Sequence, residues 1–167
     1  RPASNTLFNP KSIGPHRRFD WTELSFKEIK RAKSKLGGTV NDVVLATAAG
    51  ALGHFLREHR TSTNNIDFRT LIPVSVRGKN DKVGNQVAMI MAELPVGERD
   101  PVARLHRVME IMQRLKGSKQ ALGTDYIPGL YRNHVLSGHE MWLEVYHLRL
   151  APPVLLAALG ELLSVEP

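Results

Sequence analysis

The sequence predicts an α/β fold in which helices cover a mixed sheet. Segments with the 3.6-residue apolar period of helices stand on both sides of two shorter segments that are typical of strands. The 167 residues are 42% hydrophobic, which is enough for a chain of this length to bury a core. We expect a single partial domain over 1–167, divided into a lead or linker (1–15), a core (16–122), an irregular segment (123–149) and a C-terminal helix (150–167).

The first elements are predicted from alternation and capping. A short edge strand is expected around His16 to Trp21, where aromatic and polar residues alternate. Ser25 and Glu28 have capping-box spacing, and apolar residues then recur at helical spacing until Gly37. These signals predict a first helix over about Phe26 to Leu36.

The second helix begins at the most informative stretch of the chain, Gly-Thr-Val-Asn-Asp-Val-Val-Leu-Ala. Thr39 and Asp42 have the spacing with which a hydroxyl and a carboxylate satisfy the first backbone N–H groups of a helix. That role leaves Asn41 unexplained. The helix runs to about His59, and its small residues allow another element to approach closely; they are Ala46, Ala48, Ala49, Gly50, Ala51 and Gly53. We expect a central, well covered helix.

Two strands and two helices follow. Ile66 to Val76 alternates as a strand does, although Pro73 places it at an edge or a bulge, and the apolar run Val87 to Leu94 suits a buried strand. A third helix is expected from Asp100 or Pro101 to near Gly117, and its outward face consists of Arg104, Arg107, Glu110 and Arg114. Ile127 to Leu130 suits a turn or short helix. Pro152 and Pro153 open a last helix over Val154 to Leu163.

Several catalytic patterns are broken or missing. The chain has no cysteine, so it has neither a thiolate nucleophile nor a cysteine zinc site. Lys116-Gly117-Ser118-Lys119 lacks the spacing of a phosphate-binding loop, and Val135 interrupts a serine-hydrolase motif around Ser137. His139-Glu140 is followed by Leu143 where a zinc protease needs histidine. We therefore expect no metal site.

The charge favours anionic partners. Lys and Arg number 23 against 16 acidic residues, for a net charge of +7, and the excess is concentrated before Gly37. A solvated helix face is the simpler explanation. No apolar run approaches the length that spans a bilayer, so we expect a soluble chain, and the absence of an initiator Met suggests an internal piece. The absence of cysteine is compatible with a reducing compartment, so we expect the cytoplasm.

The sequence resembles the bacterial wax ester synthase/diacylglycerol acyltransferases. Four segments carry the resemblance, in the order and approximate spacing of that family: Gly14-Pro15-His16-Arg17-Arg18-Phe19 with Trp21; Gly38-Thr39-Val40-Asn41-Asp42-Val43-Val44-Leu45-Ala46; Phe68-Arg69-Thr70-Leu71-Ile72-Pro73-Val74-Ser75-Val76-Arg77; and Gly84-Asn85 with the apolar strand that ends in Leu94-Pro95-Val96. Together they cover roughly Ile13 to Leu122.

The resemblance implies a two-domain fold like that of chloramphenicol acetyltransferase, with the acyl-CoA channel between two α/β halves. It also implies transfer of a fatty acyl group from acyl-CoA, as co-substrate, to diacylglycerol or a long-chain alcohol. In the family, a histidine of a His-His-x-x-x-Asp-Gly motif is the general base. That motif is absent here and would stand N-terminal to Arg1, so the chain resembles the central part of the enzyme. No residue of this chain is assigned as catalytic, and the partner implied is the missing N-terminal half.

The resemblance also carries over site residues. Asn41 and Asp42 match the family's Asn-Asp motif, which implies a place in or beside the active site; a buried helix cap is an equally good interpretation. Arg77, Lys79 and Asn85 belong to a loop that helps to form the channel wall and could meet CoA phosphates, the alternative being solvated loop charges.

A second function class stays open. The chain could be a non-catalytic basic module that binds anionic lipid or another acidic partner through its first helix. Peripheral contact with a membrane or lipid inclusion is compatible with both classes. Nucleic acid is the least favoured partner, because aromatic residues are few and are not interleaved with the basic ones.

Overall fold

The computed structural model describes residues 4–8, 22–75, 87–116 and 152–165. Six elements follow one another in these ranges: α1 (Phe26–Leu36), α2 (Val40–Glu58), β1 (Arg69–Ser75), β2 (Val87–Glu93), α3 (Pro101–Lys116) and α4 (Pro152–Ser164). The predicted α/β class is confirmed. Within the described ranges the sheet consists of two antiparallel strands. The predictions for 16–21 and 127–130 lie outside the described residues.

Capping residues set the beginnings of the first two helices where the sequence predicts them. At α1, the Ser25 hydroxyl accepts a hydrogen bond from the Glu28 N–H at 3.4 Å. At α2, the Thr39 side chain accepts from the Asp42 N–H, and the Asp42 carboxylate accepts from the Thr39 N–H. These hydrogen bonds confirm both predicted helix starts. A capped start satisfies backbone N–H groups that have no partner within the helix.

Helix α2 lies at the centre of the described core. Thirteen of its residues are buried, and α1, α3 and α4 all pack against it. The core formed around it also contains Ile72 and Ala92 from the sheet and Leu159 and Leu162 from α4. The prediction of a central, covered helix is therefore confirmed.

The sheet shows how Pro73 fits into a strand. The Leu94 N–H donates to the Phe68 carbonyl at 2.8 Å, so every second residue from Phe68 directs its backbone groups toward β2. Pro73 falls on the other set, which faces away from β2, and its missing N–H removes no bond from this ladder. Within the described ranges no third strand pairs with that side of β1, which agrees with the edge alternative. One sheet face packs into the core through Ile72 and Ile90.

Within the described ranges, no single helix is long and apolar enough to cross a membrane. Only α1 and α2 taken together reach that length and composition, and they meet at a bend of 100°.

Candidate functional site

The site predicted from the Asn-Asp motif lies at the turn between α1 and α2. Gly37 and Gly38 both have positive φ, 87° and 82°, a conformation that residues with a Cβ rarely adopt. These two residues reverse the chain between α1 and α2. Asn41 and Asp42 then stand in the first turn of α2, at the positive end of its dipole.

Of the two carboxylate oxygens of Asp42, one takes part in the helix cap. Asp42 Oδ2 accepts from the Thr39 N–H at 2.8 Å and from the Thr39 hydroxyl at 2.7 Å. The other oxygen, Oδ1, is buried and has no hydrogen-bond partner among the described residues, and Asp42 as a whole is only 4% exposed. A buried acceptor without a donor costs free energy, so Oδ1 has unused capacity to bind a donor.

Asn41 has the same unused capacity. It is half-buried, and none of the hydrogen bonds found in the described part of the chain uses its side chain. An amide both donates and accepts, so Asn41 can bind a further polar group. The helix cap therefore uses Thr39 and one oxygen of Asp42, and it uses neither the Asn41 side chain nor Asp42 Oδ1.

Helix α3 covers this turn through Met109. A Cβ placed on Gly38 would lie 3.0 Å from Met109 Sδ and 3.3 Å from Asp42 Oδ2. Gly38 is thus required by its backbone conformation and by the close approach of its neighbours. The first turn of α2 is held between its own cap and a side chain of α3.

The predicted channel residues Arg77, Lys79 and Asn85 lie outside the described residues, so their contact with CoA phosphates stays a prediction. Within the described ranges, no group of three or more His, Cys, Asp or Glu residues is placed to hold a metal ion.

The prediction that Arg104 faces outward on α3 is wrong. Arg104 is 2% exposed, whereas Arg107, Glu110 and Arg114 are exposed as predicted. Arg104 stands four residues before the buried Val108, and therefore on the edge of the apolar stripe of α3. That spacing was the signal available in the sequence.

The Arg104 guanidinium joins three parts of the fold. Nε donates to the Ala46 carbonyl of α2 at 3.0 Å, and Nη1 donates to the Glu98 and Arg99 carbonyls at 3.1 and 3.2 Å. Nη2 pairs with Glu161 of α4 at 3.1 Å. This set of partners explains the burial, because a buried cation is tolerated when its charge and N–H groups are satisfied.

Glycines of α2 make room for this arrangement. A Cβ on Gly50 would lie 2.6 Å from Arg104 Nη2, and a Cβ on Gly53 would lie 2.1 Å from the Val96 carbonyl oxygen. Arg57 lies four residues after Gly53, on the same side of α2. Burial lowers the pKa of Arg57, and the positive charges of Arg99 and Arg104 lower it further.

A second concave region is separate from the Asn-Asp turn. It is an open groove of about 1160 Å³ between the loops at 63–67 and 93–98 and helix α3. Its charged side chains are Asp67, Glu93, Glu98, Arg107, Glu110 and Arg114. Because acids outnumber bases, the groove does not suit a phosphate group.

Two family models match the chain. The wax ester synthase/diacylglycerol acyltransferase catalytic domain matches residues 1–44, and the C-terminal domain of the same family matches residues 83–141. The chain belongs to the wax ester synthase/diacylglycerol acyltransferase family. The catalytic-domain match ends two residues after Asp42, so it includes the Asn-Asp motif.

The relatives of this family member are named as acyltransferases. A Mycobacterium tuberculosis protein named as a diacylglycerol O-acyltransferase is 37% identical over 107 residues, which are 64% of this chain and 21% of the relative. Another from that organism is 35% identical over 122 residues, 72% and 26% of the two chains. The O-acyltransferase WSD of Acinetobacter baylyi is 29% identical over 115 residues, 69% and 25%.

The chain spans about a quarter of the length of these curated relatives. No solved structure matches it with significant similarity.

Proposed function

We propose that this chain is the central part of an O-acyltransferase that moves a fatty acyl group from acyl-CoA to diacylglycerol or a long-chain alcohol. The observation that carries the proposal is the match to the family's catalytic and C-terminal domains on two successive segments. The names of the relatives support the same reaction class. In this proposal the whole enzyme has the two-domain fold of chloramphenicol acetyltransferase and works in the cytoplasm.

The general base of the reaction belongs to the half that carries the His-His-x-x-x-Asp-Gly motif. That histidine takes the proton of the acceptor hydroxyl as the hydroxyl oxygen attacks the thioester carbonyl, and CoA leaves as the thiol. The present chain supplies support to that centre. Asn41, which is half-buried and makes no side-chain hydrogen bond within the described residues, provides a polar contact to the other half, and the buried Asp42 holds the first turn of α2 in place through the Thr39 cap.

The loop between β1 and β2 is proposed to meet acyl-CoA. Arg77 can bind a phosphate through two parallel N–H groups, and Lys79 supplies a point charge. Asn85 follows in the same loop and is assigned to the channel wall. This placement rests on the family order of strand, Arg, loop, Gly-Asn and strand.

The exposed face of the sheet supports the idea that a larger assembly covers this chain. Leu71 and Met91 stand directly opposite each other in the strand register and are 57% and 50% exposed. An apolar cross-strand pair is expected to lie against protein, because antiparallel sheets that face water carry polar side chains there. We assign this face to contact with the rest of the enzyme.

Reconstitution tests the proposed function. The 167-residue chain is mixed with the N-terminal half that carries the two-histidine motif, and transfer of a labelled acyl group from acyl-CoA to diacylglycerol or hexadecanol is measured. We expect activity from the mixture and none from either part alone. A mixture in which the two parts bind each other without any acyl transfer would contradict the proposal.

The Asn-Asp motif is tested separately in the reconstituted enzyme. Asn41→Ala is expected to lower kcat/KM by at least about tenfold, since an active-site hydrogen bond is worth roughly 1.5 kcal/mol. The midpoint of thermal unfolding should change little, because Asn41 makes no side-chain hydrogen bond within the described residues. Asp42→Glu is the comparison and should mainly lower stability, since the longer side chain disturbs the cap. Full activity of Asn41→Ala would exclude a role in the site.

A further inference from the structure

The exposed side of α1 combines basic and aromatic residues. All five of its basic residues are exposed, namely Lys27, Lys30, Arg31, Lys33 and Lys35, against a single acid, Glu28. Phe26 opens the helix and is 57% exposed, one of the largest values for an apolar side chain among the described residues. A single exposed ring is common on protein surfaces, so it is the combination of this ring with five exposed cations that distinguishes α1.

The helix geometry places these side chains on one surface. Ile29 and Ala32 are buried against the core, and with a turn every 3.6 residues Lys27, Lys30 and Arg31 fall on the opposite side. Phe26 lies at the edge of that side, and Lys30 Nζ is 4.5 Å from the centre of its ring. We call Phe26, Lys27, Lys30 and Arg31 the α1 basic face.

The structure leaves this face open to a large partner. Helix α1 packs against α2 and α4 through its other side, and Lys35 Nζ donates a hydrogen bond to the carbonyl of Val165, the residue that follows α4. Glu28 is the one acid of the helix, and it is not part of the α1 basic face. A surface of like charges with an exposed ring at its edge matches a layer of anionic headgroups above an apolar interior.

We propose that the α1 basic face binds the surface of an anionic lipid membrane, with the three cations on the headgroups and the Phe26 ring inserted between them. The proposal does not depend on the acyltransferase function. It concerns peripheral binding, in which the helix lies along the surface.

Vesicle sedimentation tests the proposal with the 167-residue chain. Vesicles of phosphatidylcholine with phosphatidylglycerol are compared with vesicles of phosphatidylcholine alone, at low and high salt. We expect binding to the anionic vesicles alone and its loss at high salt, because salt screens the attraction. No binding to anionic vesicles at low salt would overturn the proposal.

Variants with equal charge separate this face from net charge. The triple variant Lys27→Gln/Lys30→Gln/Arg31→Gln should weaken vesicle binding by about a hundredfold, since each cation near an anionic surface contributes about fivefold. The control, Arg107→Gln/Arg114→Gln/Lys116→Gln, removes three exposed cations from α3 and should retain most of the binding. Equal losses in the two variants would overturn the proposal, because net charge alone would then explain the attraction.

A second pair of variants tests the ring. Phe26→Ala should weaken binding by about tenfold, whereas Leu156→Ala, which removes an apolar side chain 48% exposed on α4, should have little effect. All eight substituted residues in the four variants are exposed, and thermal melting verifies that the variants are folded. Binding of duplex DNA through the same cations, with no affinity for vesicles, would also overturn the lipid proposal.

Discussion

At the scale of single residues, two glycines decide how closely the neighbours of α2 can approach. Gly50 lies under the Arg104 guanidinium, and Gly53 lies under the Val96 carbonyl. The small residues of α2 predict that another element approaches this helix closely. The identity of the approaching groups depended on contacts far apart in the chain, which no local spacing contains.

We predict that Gly53→Ala lowers the free energy of unfolding. In most helix interiors this change stabilises by up to about 1 kcal/mol, because alanine has the higher helix propensity. Here the new Cβ would lie 2.1 Å from the Val96 carbonyl oxygen, so backbone must move. Gly160→Ala is the control in α4, where a Cβ would meet nothing within 4 Å, and it should be stabilising. Urea unfolding measures both, and a stabilising Gly53→Ala would contradict the structure.

Asn41 and Arg104 differ in how much the sequence could predict about them. The predicted cap does not need Asn41, and within the described residues its half-buried side chain makes no hydrogen bond. Arg104 was predicted on the outward face of α3, yet it is buried. Its partners come from three separate segments, so only the folded chain brings them together.

At the scale of elements, the described helices begin and end where local chemistry predicts. Ser25 and Thr39 cap α1 and α2, and Pro101 and Pro152 open α3 and α4. These signals are local, since a capping side chain or a proline acts within one turn of helix. Strand β1 begins at Arg69, three residues after the predicted start at Ile66, because the register with β2 begins at Arg69, whereas the predicted end at Val76 lies outside the described residues.

The junction of α2, α3 and α4 is expected to depend on Arg104. Arg104→Met should lower the free energy of unfolding by about 2–4 kcal/mol, since it removes the charged group that bonds to α2, to the 98–99 loop and to α4. Arg107→Met on the exposed side of the same helix should change it by less than about 0.5 kcal/mol. Chemical denaturation compares the two.

Glu161→Gln tests how much of the stability that Arg104 contributes comes from its ion pair with Glu161. The Glu161 side chain is 54% exposed, and Arg104 keeps its three backbone partners when this charge is removed. The loss should therefore stay under about 1 kcal/mol, as for other exposed ion pairs. A loss as large as that of Arg104→Met would show that the carboxylate, and not the backbone carbonyls, holds the guanidinium.

At the scale of the whole molecule, α2 connects the fold to the proposed function. It packs against α1, α3 and α4, and its first turn carries the half-buried Asn41. The α1 basic face lies on the outer side of the preceding helix. Support of a catalytic centre and binding of a lipid surface can therefore use different sides of the same helical pair.

The sequence by itself determined the helix boundaries, the α/β class and the family, because capping, periodicity and motif order are all properties of neighbouring residues. Tertiary structure decided that Arg104 is buried, which groups lie against Gly50 and Gly53, and that Asp42 has one oxygen without a donor. The physical reason is that burial and hydrogen-bond satisfaction depend on residues distant in the chain, which become neighbours only when α2, α3 and α4 pack together.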